Sequence, residues 1–138
     1  DLIIAIEAHA GTDFETPEKA VWLMDETRHP NLKIDLDISH FVVEGNEMIH
    51  SVDICAPYAS MVHIKDGHKE NGNVRFCLPG EGSIDVERFF RALRNNKLAD
   101  IPVFAEVSLQ ISSKVSYEPR IVADFCFKVL DNARNTFK

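Results

Sequence analysis

The chain has 138 residues, 45% hydrophobic and 27% charged, with a formal net charge of −7. That balance points to one globular domain over residues 1–138 with apolar residues enough for a core, which the strand and helix alternation below makes an α/β domain, and it excludes a disordered chain. A complete eight-fold β/α barrel needs about 250 residues and does not fit this length.

No apolar run approaches the roughly 20 residues of a membrane span. No secretory leader is expected either: Asp1 runs straight into Leu2-Ile3-Ile4-Ala5-Ile6, and the lack of an initiator Met points to a processed, cut or internal boundary. The acidic balance argues against nucleic acid as principal partner, because phosphate contacts need clustered Lys and Arg. Cys55, Cys77 and Cys126 show no C-x-x-C spacing. A disulfide framework or structural zinc is therefore not expected, and a reducing cytoplasm is.

Four short apolar runs read as strands: Leu2 to Ile6, Leu32 to Leu36, Ser60 to Ile64 and Ile101 to Val107. The first helix follows Thr16-Pro17-Glu18, an N-cap, an N1 proline and a first-turn acid, with Ala20, Leu23 and Met24 on its apolar face. Trp22 is expected to pack on this helix. A second helix starts near Asn46 and stops at Pro57. The third starts near Asp85 with Val86, Phe89, Phe90 and Leu93 inward, and the last follows Pro119. Strand and helix alternate four times, which requires crossover connections and a parallel sheet. The polar, Gly-rich segment Gly67 to Gly82 is expected to be a long mobile loop covering a substrate. His29 and His50 read as surface residues.

Each strand ends on a chemically capable residue. The first closes on Glu7, with His9 beyond it, and the second on Asp37, with His40 three residues later. The third carries His63, then Lys65 and Asp66, and the fourth closes on Glu106. The C-terminal ends of parallel strands are where α/β proteins build their sites. One acidic residue after a strand is most simply a cap or a solvated loop residue; four such coincidences converge on one point. Three carboxylates that close repel unless a cation sits between them. Oxygen ligands with one imidazole suit Mn²⁺, Mg²⁺, Co²⁺ or Zn²⁺, with Mn²⁺ favoured on hardness.

These segments, Ile6-Glu7-Ala8-His9, Leu36-Asp37-Ile38-Ser39-His40, Val62-His63-Ile64-Lys65-Asp66, Pro79-Gly80-Glu81-Gly82-Ser83-Ile84-Asp85 and Phe104-Ala105-Glu106-Val107-Ser108, resemble successive strand ends of the xylose isomerase-like TIM barrels. That is the sugar-phosphate isomerase/epimerase group, which includes tagatose 3-epimerase-like enzymes and inosose isomerases and dehydratases. The resemblance implies half of a TIM barrel, strands five to eight. It implies Glu7, Asp37, His63 and Glu106 as ligands of a divalent metal, and Glu7 and Glu106 as paired catalytic acid/base groups. His40 matches a substrate contact beside the metal, with His9, Lys65, Asp66 and Lys69 as further candidates; Lys69 stands where the epimerases place an Arg.

The activity implied is a sugar or cyclitol isomerase/epimerase that removes a proton next to a carbonyl through an enediolate. An inosose dehydratase-like lyase on the same site is one alternative. A non-catalytic metal- or ligand-binding half barrel is another. A DNA-repair relative of this barrel would need additional His ligands and a basic surface. An open flavodoxin-like sheet would need a phosphate loop, and Ala8-His9-Ala10-Gly11-Thr12 is a poor one. Two open sheet edges predict self-association or pairing with a separate first half.

Overall fold

The computed structural model describes residues 2–136, so residues 1, 137 and 138 of the expected domain lie outside the described residues. Strand β1 (Ile4–Glu7) leads through a loop into helix α1 (Pro17–Thr27). Thr16 caps α1 by accepting from the Lys19 N–H at 3.3 Å, and Arg28 ends it in a left-handed conformation with φ of 48°. Ala20 and Met24 form the buried face one turn apart. Trp22 does not pack as expected: it is 61% exposed, because it projects from the side opposite that pair.

Strand β2 (Leu32–Asp37) passes without a loop into a short helix, α2 (Ile38–Val43), which the sequence pattern did not separate from the strand end. Helix α3 (Met48–Cys55) and a 3₁₀ turn (Ala56–Tyr58) bring the chain back to β3 (Ala59–Ile64). Helix α4 (Val86–Asn95) is capped by Asp85, which accepts from the Arg88 N–H at 2.9 Å. Strand β6 (Val103–Ala105) is followed by the single turn α5 (Leu109–Ser112) and the long helix α6 (Pro119–Asn135).

The segment expected to be a mobile loop is instead a β-hairpin, strands β4 (Asp66–Glu70) and β5 (Asn73–Cys77). Its turn is Asn71-Gly72, with φ of 48° and 79°. Two successive positive φ values suit Asn-Gly and match the twist of the flanking strands.

Among the described residues the main sheet has the order β1-β2-β3-β6, all neighbours parallel. Ile34, Leu36, Val62 and Ile64 fill the core between this sheet and the helices. The alternate residues therefore point to the other face. Glu7 is level with Asp35, Asp37 with His63, and His63 with Phe104. A register shift between Ile34 and Asp35 adds to the stagger across the strands. The acidic residues thus climb one face of the sheet toward the strands' C-terminal ends.

Asp66 organises the return from the hairpin. Its carboxylate is wholly buried and accepts from four backbone N–H groups: Gly67 and Ile84 at Oδ1, Gly80 and Gly82 at Oδ2, all at 2.8–3.0 Å. A Cβ at Gly82 would stand 2.3 Å from Asp66 Oδ1, so only glycine allows this approach. Asp66→Ala leaves four donors without their acceptor, and we expect a loss of about 3 kcal/mol or more in the urea unfolding free energy.

Candidate metal centre

The site is assembled where the acidic face meets the strand ends. Asp37 has two separate tasks, one for each oxygen. Its Oδ1 caps α2, accepting from the Ser39 N–H at 2.9 Å and the Ser39 hydroxyl at 2.6 Å. Its Oδ2 accepts from the Lys65 ammonium. Lys65, 2% exposed, also donates to Glu106 Oε2 at 2.6 Å and lies 3.9 Å from Glu7 Oε1. A buried ammonium thus joins carboxylates from the ends of β1, β2 and β6.

The charges answer to one another. Burial pushes the Asp37 carboxyl up, but Lys65 and Ser39 outweigh it, and the group ends below its ordinary value. Burial would lower Lys65, yet Asp37 and Glu106 hold it above the usual lysine value. Glu7 is held low chiefly by His40, whose Nε2 is 3.3 Å from Glu7 Oε1. That contact is not an aligned hydrogen bond, and Glu7 Oε1 is buried without one.

One ligand atom each from Glu7, Asp37, His40 and Glu106 lies within 4.8 Å of the others. The donor set fits a divalent cation: three oxygen ligands, an imidazole alongside, and a buried carboxylate oxygen lacking a donor. The two imidazoles differ in chemistry. His40 Nδ1 accepts from the Ala10 N–H at 3.1 Å, so its ring proton sits on Nε2, the nitrogen facing the carboxylates. An Nε2 that carries a proton donates; it has no lone pair for a metal. His63 Nδ1 lies 3.1 Å from Asp35 Oδ2. That contact, like the one between His40 and Glu7, is not an aligned hydrogen bond, and His63 stands outside the four residues whose ligand atoms gather within 4.8 Å; its Asp35 neighbour is where an outer carboxylate would steady a ligating imidazole.

The remaining expected site residues divide. His9 stacks on His40 with ring centroids 4.0 Å apart, so both border the cluster. Asp66 is not free to touch a substrate: all its acceptor capacity faces backbone N–H groups, and this corrects its expected binding role. Lys69 pairs with Glu44 at 2.6 Å, so the structure gives it another partner than the one expected of a substrate contact. Two residues escaped the sequence reading. Asp35 was legible as a charged residue two before Asp37 in an apolar strand. Phe76 carried no such signal; its ring lies 5.1 Å under the Lys65 ammonium and 5.3 Å from the His40 ring.

The model of the xylose isomerase-like TIM barrel matches residues 1–118. The chain belongs to that family. Within the xylose isomerase-like barrels it is similar to an inosose dehydratase of Geobacillus thermodenitrificans, 30% identical over 105 residues, covering 65% of this chain and 35% of that enzyme. It is also similar to a ketose 3-epimerase of Arthrobacter globiformis, 33% identical over 78 residues, 56% of this chain and 25% of that enzyme. In fold it matches a xylose isomerase domain protein from Planctomyces limnophilus with a TM-score of 0.78, at 15% identity, over 97% of this chain and 47% of that one. The chain therefore spans less than half the length of each of these relatives, and its four parallel strands correspond to half of a TIM barrel.

Lys65→Met leaves Asp37 a buried, unpaired charge. We expect a loss of about 3 kcal/mol in unfolding free energy without added metal, measured by urea titration; an unchanged midpoint would show that the ammonium does not support the cluster.

Proposed function

We propose that this chain is the metal-binding half of a divalent-metal-dependent isomerase or epimerase acting on a sugar or cyclitol, with an inosose dehydratase-like reaction on the same site as the alternative. The observation that carries the reading is the gathering of one ligand atom each from Glu7, Asp37, His40 and Glu106 within 4.8 Å of one another at the strand ends. The enzymes to which the chain is similar, an inosose dehydratase and a ketose 3-epimerase, support the substrate class.

Glu7, Asp37, Glu106 and the His63 imidazole would hold the metal, Mn²⁺ by preference, with Mg²⁺, Co²⁺ or Zn²⁺ as possible substitutes. Bound there, a divalent cation supplies stabilisation for the substrate oxygen that turns negative as the neighbouring C–H proton leaves. Glu7 comes from an outer strand on one side and Glu106 from the outer strand on the other, so the two carboxylates flank the site. Glu7, kept ionised by His40, accepts the proton. Return from the opposite face by Glu106 gives epimerisation, and return to the adjacent carbon gives isomerisation. Loss of a β-hydroxyl instead gives dehydration. His40 offers its Nε2–H to a substrate oxygen, and His9 lies against its ring.

In the full-length enzyme Glu106→Gln is expected to abolish metal-dependent turnover across a panel of ketoses and inososes. Metal binding by the wild type without turnover of any of them would favour the non-catalytic binding module. Calorimetric titration with Mn²⁺ assigns the imidazole. His63→Ala should remove binding and Asp35→Ala should weaken it by about 10- to 100-fold, while His40→Ala leaves affinity nearly unchanged. The reverse pattern would make His40 the ligand.

Cytoplasmic residence is part of the same proposal, resting on three cysteines that are free thiols. No helix among the described residues is long and apolar enough to cross a membrane. We further propose that the outer strands pair with another βα half. Ile3 and Ile4 on the β1 side are each 55% exposed, and a groove of ≈ 900 Å³ opens on the helix side of β6, lined by Leu93, Val103, Val122, Cys126 and Leu130. For the 138-residue chain alone, the pairing half is a second copy. Sedimentation should then find dimers or larger species, and a sharply monomeric, non-aggregating sample would overturn the pairing.

A further inference from the structure

The β4–β5 hairpin is fastened to the end of β6 by one side chain. Gln110, in the turn α5, accepts from the Phe76 N–H through Oε1 at 3.0 Å and donates from Nε2 to the Val74 carbonyl at 3.2 Å. Phe76 and Val74 are two apart on β5, so these groups lie on the same strand edge, the one turned away from β4. The carboxamide therefore takes the place that a neighbouring strand's peptide group would take. Gln110 is itself seated by Ser108, whose hydroxyl caps α5 by accepting from the Gln110 N–H at 3.2 Å. Ser108 stands two residues after Glu106.

The other side of β5 is also arranged to place one ring. Phe76 is level with Gly67 on β4, and a Cβ at Gly67 would meet Phe76 Cδ1 at 3.2 Å and the Arg75 carbonyl oxygen at 2.8 Å. Glycine there lets the ring lie close to β4. The ring then presents its face to the Lys65 ammonium and stands edge-on to His40. Phe76 thus sets an apolar ring against the charged cluster.

We infer that Phe76 is a specificity-determining residue and Gln110 the positioning residue that holds it. An aromatic face bordering a cluster of carboxylates favours a substrate with a flat C–H face on one side and hydroxyls on the other. A cyclic polyol ketone meets that description, because its ring carbons hold the C–H groups in one surface. An open-chain ketose presents such a surface only after its chain is ordered, which costs conformational entropy. The inference deepens the proposed function and rests on it for its substrate class, whereas the Gln110–Phe76 link stands on the geometry alone.

The test uses the full-length protein loaded with Mn²⁺, an inosose and an open-chain ketose as substrates, and the variants Phe76→Leu, Gln110→Met and Gln110→Glu. Phe76→Leu should raise KM for the inosose about tenfold, with kcat and the open-chain ketose little affected. Gln110→Met should do the same, while Gln110→Glu, which retains an acceptor for the Phe76 N–H, recovers part of the loss. Hydrogen exchange gives a readout independent of turnover: the Phe76 amide, bonded to Gln110, should be protected in the wild type and should exchange about tenfold faster in Gln110→Met. Equal effects on both substrates, or no change in KM, would overturn the specificity role. Unchanged exchange at Phe76 would overturn the positioning role. Turnover of neither substrate by the wild type would overturn the functional reading, and with it the substrate class inferred for Phe76.

Discussion

Everything at the strand ends is arranged around a repulsion. Two like charges about 4 Å apart in a partly buried setting oppose each other by about 4 kcal/mol. Glu7, Asp37 and Glu106 nevertheless converge, with Asp35 level with Glu7 on the neighbouring strand. Lys65 supplies the positive charge that allows this, and its own burial is tolerable only because those carboxylates surround it. Neither side of the arrangement is stable alone. The stagger of the sheet sets the spacing, the α2 cap consumes one oxygen of Asp37, and Phe76 closes over the ammonium.

Two histidines of the same region illustrate how backbone partners decide chemistry. His40 and His63 are equivalent in a list of ligand types, and distance alone draws attention to His40. The N–H of Ala10 makes one ring nitrogen of His40 an acceptor, whereas the carboxylate of Asp35 lies 3.1 Å from one ring nitrogen of His63. The remaining nitrogen of His40 therefore carries the ring proton and faces the carboxylates. A single loop amide and a single strand carboxylate thus give two neighbouring imidazoles different surroundings.

The parallel sheet, the four principal helices and the residues at the strand ends were readable because each rests on local rules: apolar periodicity, capping residues and strand termination. Thr16-Pro17 and Asp85 begin helices where their chemistry requires. The hairpin was harder. His68, Lys69, Glu70 and Arg75 gave its strands a polar surface that reads as loop, although Asn71-Gly72 was a usable turn signal. α2 was concealed because Asp37 ends a strand and caps a helix at once. Asp66 read as a free carboxylate beside the site, since its four backbone partners come from 1, 14, 16 and 18 residues away. Non-local satisfaction of that kind leaves no pattern in the chain.

The same Asp66 has a mechanical meaning. By holding Gly67 on one side and Gly80, Gly82 and Ile84 on the other, one carboxylate draws together the two ends of an excursion that includes the whole hairpin. Loop closure is thus completed at the root, and the chain beyond it contributes little further entropy cost when its length changes. The hairpin is in effect an exchangeable roof on a fixed hinge plate. Residues can be added or removed near Asn71-Gly72 to reshape the hairpin, while β3, α4 and the carboxylates between them keep their places.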